Sequence, residues 1–171
     1  MLSIIIISSV SLILDLVLSN FLPFMMNDLS IFTTLFVVIS LFFIYPLFTG
    51  NNKKYFIYIF IYGIIYDLMF TNLFFYHGFI FLFLGIITFY IYKNLEITFI
   101  RNIIYILFLI LVYEGLFVIF ILIFNLVPIT LFKYLYKVSH TIISNVIYGE
   151  LLYFIQKKLT KTTNKRRINV K

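Results

Sequence analysis

The chain has no cysteine, no alanine and no tryptophan among its 171 residues, and only six acidic side chains. Without cysteine there is no disulfide, no thiol nucleophile and no thiolate metal ligand. With 11% charged residues, the polar surface of an ordinary soluble domain cannot be built. Missing alanine beside abundant Ile, Phe, Tyr, Asn and Lys is the bias of an AT-rich genome and carries no mechanism. The two histidines, His77 and His140, stand far from each other, and no metal-ligand spacing joins them. There is no H-E-x-x-H and no nucleophile elbow, and the aspartates lack the glycine-flanked motifs of membrane aspartyl proteases. No catalytic residue, metal or cofactor is therefore expected.

What is present is apolar. Hydrophobic residues make up 64% of the chain, and the mean hydropathy is +1.14. About 20 apolar residues cross a bilayer core of roughly 30 Å. Six such segments fit, at about Leu2–Leu22, Ile31–Phe48, Tyr55–Thr71, Phe75–Tyr92, Ile103–Phe124 and Val138–Ile155. Polar punctuation separates them: Pro23, Asn27 and Asp28, then Thr49 to Lys54, and later Lys93-Asn94 through Arg101-Asn102. The expected class is an all-α polytopic membrane protein. Residues 1–158 form the six-helix domain, and 159–171 form a basic, disordered cytoplasmic tail.

The formal charge of +7 is unevenly placed. Lys53, Lys54, Lys93, Arg101 and the tail lysines and arginines from Lys157 to Lys171 fall on one side of a six-span topology, and only Lys133 and Lys137 fall on the other. The positive-inside rule then puts both termini in the cytoplasm. The tail is expected to lie against anionic lipid, at roughly 1 kcal/mol per basic side chain near the surface. It has neither a folded basic face nor stacking aromatics, so nucleic acid is not an expected partner. The first span lacks a basic n-region and a small-residue cleavage site, so it reads as a retained helix and not as a signal peptide. Between Asn125 and Lys137, two readings stand: a short interfacial helix, or lysines that snorkel from the start of the last span.

Four carboxylates, Asp15, Asp67, Glu114 and Glu150, fall inside the spans. An ionisable group at membrane depth costs roughly 2.5–3.5 kcal/mol on insertion scales, so it faces protein or water. Ser8, Ser11, Asp15 and Ser19 share one face of the first helix through three- and four-residue spacing. Gly63, Asp67 and Thr71 form a parallel stripe on the third, where Gly63 permits close helix approach. Both aspartates belong to the outer half of the membrane. Three roles are open to them: fixing helix packing, meeting a polar group in another protein's helix, or lining a proton or cation path. Glu114-Gly115 stands alone in an apolar span, and Glu150 lies toward the basic inner end.

The segment GIIYDLMFTNLFFYHGFIFLFLG, from Gly63 to Gly85, resembles the signature region of the MreD family, the integral-membrane subunit of the bacterial rod-shape machinery. Gly63, Asp67 and Gly85 match its small-residue and acidic pattern. The family's glycine in the turn after the aspartate has its counterpart here only at Gly78, after Phe74 to His77. SLILDLVLSNFLP, from Ser11 to Pro23, is similar to the family's opening helix, with Asp15 and Pro23 at the matching positions. IISNVIYGELLYFIQKKL, from Ile142 to Leu159, is similar to its last. The resemblance implies a fold like that of the substrate-binding subunits of energy-coupling-factor vitamin transporters. It also implies a non-enzymatic subunit of the plasma membrane that helps organise peptidoglycan synthesis. The implied partners are an MreC-like bitopic protein and, through it, MreB, RodA and a penicillin-binding protein. Ser11, Asp15, Gly63, Asp67, Thr71, Gly78 and Gly85 are the candidate helix-packing or partner-binding residues. The rival reading is a vitamin-binding subunit of an energy-coupling-factor transporter. The docking motifs of such subunits are commonly alanine-rich, and this chain has no alanine.

Overall fold

A computed structural model of the chain describes residues 2–21, 34–48, 51–70, 75–95, 98–124 and 131–168; the side chains of 19–21, 121, 133 and 161–168 fall outside that description. The described residues are all-helical. The helices are α1 (Leu2–Phe21), α2 (Phe36–Ile44, continued by a 3-10 turn Tyr45–Phe48), α3 (Asn52–Phe70), α4 (Tyr76–Asn94), α5 (Phe99–Ile123) and α6 (Leu131–Ile168). One helix stands at each of the six apolar segments. Two of them, Tyr76–Asn94 and Phe99–Phe120, are long and apolar enough to cross a membrane.

The second segment differs most from expectation. Where an eighteen-residue span from Ile31 was read, α2 begins at Phe36 and has nine residues, every one of them buried. Residues 31–33 lie outside the description. A helix apolar on all sides belongs inside other helices, and α2 sits at the centre of this bundle. It packs against α1, α4 and α6. The Tyr55 hydroxyl on α3 donates to the Leu41 carbonyl at 3.1 Å, and Phe42 meets Tyr105 of α5 with ring centroids 6.3 Å apart. Val37, Ile39, Phe42, Phe43 and Ile44 thus form the middle of the core, with Ile59, Phe81, Ile106 and Leu109 closing over them.

The other five helices ring α2. Hairpins α3–α4 and α5–α6 make the largest contacts. Hydroxyl pairs close the gaps on either side of α1. Ser8 meets Tyr58, and Ser9 meets Tyr62 at 3.1 Å, which ties α1 to α3 in parallel. Ser11 meets Tyr148 of α6 at 2.7 Å. The α3–α4 contact is backbone-close: a Cβ added to Gly63 would stand 2.5 Å from the Gly78 Cα. The last helix runs through the basic stretch to Ile168.

Candidate functional site

Burying a helix start creates a physical problem, because its first N–H groups have no partner within the helix. Two aspartates meet that demand. The Asp15 carboxylate on α1 accepts the backbone N–H of Phe36 at 3.2 Å and that of Val37 at 2.9 Å. Thr34 hydrogen-bonds the same carboxylate, and Asn145 of α6 accepts the Leu35 N–H through its Oδ1 at 2.8 Å. The N–H groups of Leu35, Phe36 and Val37 at the start of α2 are thereby satisfied from two neighbouring helices.

Asp67, in the last turn of α3, does the same for α4. Its Oδ2 accepts the His77 N–H at 2.9 Å, and its Oδ1 lies 2.6 Å from His77 Nδ1. The pairing puts the imidazole proton on Nδ1, leaving Nε2 to accept from the Tyr113 hydroxyl of α5 at 3.0 Å. Tyr66 shares a hydrogen bond with Tyr113 and lies within electrostatic reach of Asp15, Asp67 and Glu114. All of these side chains lie at the end of the bundle opposite Lys53, Lys54, Lys93 and Arg101. Just before α4, Phe75 has φ 65, the left-handed region that favours glycine. The glycine-like backbone of this turn thus falls at Phe75, three residues before Gly78.

The α5–α6 hairpin uses a carboxylate too. Glu114, fully buried, pairs with Lys137 at 2.7 Å, and the Lys137 ammonium lies 4.8 Å from the centre of the Phe117 ring. Each antiparallel hairpin therefore has an acid on its first helix holding the early part of its second: Asp15 for α2, Asp67 for α4, Glu114 for α6. At the opposite end, Asn102 donates to Glu150 at 2.7 Å.

The sequence candidates divide as follows. Asp15, Asp67, Gly63 and Gly78 take part in these hairpin contacts, and Ser11 anchors α1 to α6. Gly85 lies against Ile59 and Tyr55 of α3. Thr71 lies outside the described residues, as does the Ser19 side chain. Reading the residues did not bring out Asn145, the Tyr113–His77 bond or the Glu114–Lys137 pair. A signal existed for the last: Glu114 was the one charge within its span, and Lys137 stood just before the next. Nothing marked Asn145. No three His, Cys, Asp or Glu side chains converge on a metal-sized site among the described residues. The void at the centre, between Phe42, Tyr55, Phe81 and Leu109, is about 10 Å³.

No family model, no curated protein and no solved structure matches this chain.

Proposed function

We propose that this protein is a non-enzymatic, six-pass subunit of the bacterial cell-shape machinery, lying in the plasma membrane with both ends cytosolic. It binds an MreC-like bitopic partner and, through it, meets MreB, RodA and a penicillin-binding protein that builds peptidoglycan. The observation that carries this reading is the use made of Asp15 and Asp67. Asp15 accepts two backbone N–H groups of α2, and Asp67 accepts one of α4 beside the His77 ring, so both acids hold neighbouring helices together. Acids held this way make a rigid scaffold. The faces left over are broad and apolar, as in Ile6, Val10, Ile13 and Val17 on α1, and suit contact with lipid or with another membrane helix. The resemblance of Gly63 to Gly85 to the MreD signature supplies the identity of the complex.

Among the described residues, the void between Phe42, Tyr55, Phe81 and Leu109 beside α2 is about 10 Å³, too small to hold a vitamin at that place. Affinity purification of the full chain in mild detergent tests the proposal. Recovery of a bitopic partner of the cell-shape complex is expected. A bound vitamin, or an ATPase pair in place of that partner, overturns it.

A further inference from the structure

At the lysine-rich end, an open groove of about 610 Å³ lies between the start of α5 and the α6 segment from Tyr153 to Thr160. Its lining is of two kinds. Thr98, Gln156, Lys157 and Thr160 bring hydroxyl, amide and ammonium groups, while Phe99 and Phe154 stand on the apolar side with ring centroids 6.4 Å apart. Both rings are about half exposed, and they continue into an exposed aliphatic surface of Ile100, Ile104, Leu151 and Ile155. The Lys157 ammonium lies 5.6 Å from the Tyr153 ring, so its stem packs within the groove. The one charged residue of its lining is Lys157. Lys157 opens a run with Lys158, Lys161, Lys165, Arg166 and Arg167, and no acidic residue follows Glu150.

We propose that this groove binds one anionic glycerophospholipid of the cytosolic leaflet. The phosphate and acidic headgroup lie against Lys157, with hydrogen bonds from Thr98 and Gln156. The glycerol and upper acyl chains run over Phe99 and Phe154 onto the aliphatic surface. A free phosphate would use the polar half alone and leave the aromatic wall without an occupant. A soluble acidic peptide would have to cover Ile100 and Ile104 within the hydrocarbon. The inference rests on the membrane reading given above, since it needs this end of the bundle at headgroup depth.

The test uses the full chain reconstituted in phosphatidylcholine vesicles with and without phosphatidylglycerol, followed by native mass spectrometry and cross-linking with a photoreactive phosphatidylglycerol. One retained phosphatidylglycerol is expected, cross-linked to α5 and α6 near Phe99 and Phe154. K157Q should lower its retention about five-fold, the scale of one basic side chain at a membrane surface. K53Q, the same charge change elsewhere on the lysine-rich end, should leave it unchanged. Equal loss in K157Q and K53Q, equal retention of phosphatidylcholine, or full displacement by inorganic phosphate overturns the lipid site. A chain that does not float with the vesicles at all overturns the membrane reading instead, and the two failures are therefore distinct.

Discussion

Asp15 holds the start of α2 as Asp67 holds the start of α4: each carboxylate accepts N–H groups of the following helix from a position on the preceding one. The N-terminus of a helix carries a partial positive charge, so a carboxylate there gains both hydrogen bonds and dipole attraction, up to about 2 kcal/mol where water is excluded. The two acids are thus what allows two helix starts to be buried.

Asp67→Ala removes the acceptor for both the His77 N–H and its ring. The expected loss is about 2–4 kcal/mol, because buried donors are left without partners. Asp67→Asn keeps one acceptor oxygen and should lose about half as much. Thermal unfolding in detergent measures both. If alanine and asparagine melt together with the wild type, Asp67 is not the anchor of α4.

The Glu114–Lys137 pair should behave asymmetrically. Lys137→Met removes the ammonium 2.7 Å from a fully buried carboxylate and is expected to cost about 3 kcal/mol. Glu114→Leu with Lys137→Met removes both charges and should recover most of that loss. A double-mutant cycle with purely additive effects would mean that the two side chains do not interact.

The glycines separate by what surrounds them. A Cβ on Gly63 meets the Gly78 backbone at 2.5 Å, so Gly63→Ala must push α3 and α4 apart, at about 1–3 kcal/mol. Among the described residues, a Cβ on Gly115 finds nothing nearer than the Tyr134 hydroxyl at 3.8 Å. Gly115→Ala is therefore expected to raise stability by about 0.5–1 kcal/mol, through helix propensity and a less flexible unfolded chain. Melting temperatures moving in the same direction for both variants contradict this assignment.

The hydroxyl ties of α1 are individually weak. Tyr148→Phe removes the bond to Ser11 and should cost only about 0.6 kcal/mol, the average for a hydrogen bond between membrane helices. Chemical denaturation that shows a loss as large as that of Asp67→Ala would place the α1–α6 tie on a par with the helix-start anchors.

Much of this arrangement was legible in the residues. Long apolar runs broken by Pro, Asn, Gly and Lys gave six helices, because the hydrophobic demand of each run is local. The three-and-four spacing of Ser8, Ser11 and Asp15 put them on one face, and all three are buried. The small side of Gly63 pointed to close approach. What an acid binds, however, is not a local property. Asp15 meets Phe36 and Val37 through backbone groups that every residue possesses, so no side-chain pattern announces the pair. Asn145 and Tyr113 reach their partners only because α6 and α5 are neighbours of α2 and α4.

The amino-acid order by itself determined the all-helical class, the six helices among the described residues and the uneven distribution of positive charge, since all three follow from composition and period along one dimension. Only the tertiary structure decided that α2 is the short central helix, that three carboxylates anchor three hairpins, and that Lys157 shares a groove with Phe99. Those outcomes depend on which helices stand side by side. That choice is made by packing summed over the whole bundle, where Gly63 against Gly78 and Phe42 against Phe43, Tyr92 and Tyr105 count together, and no single segment records it.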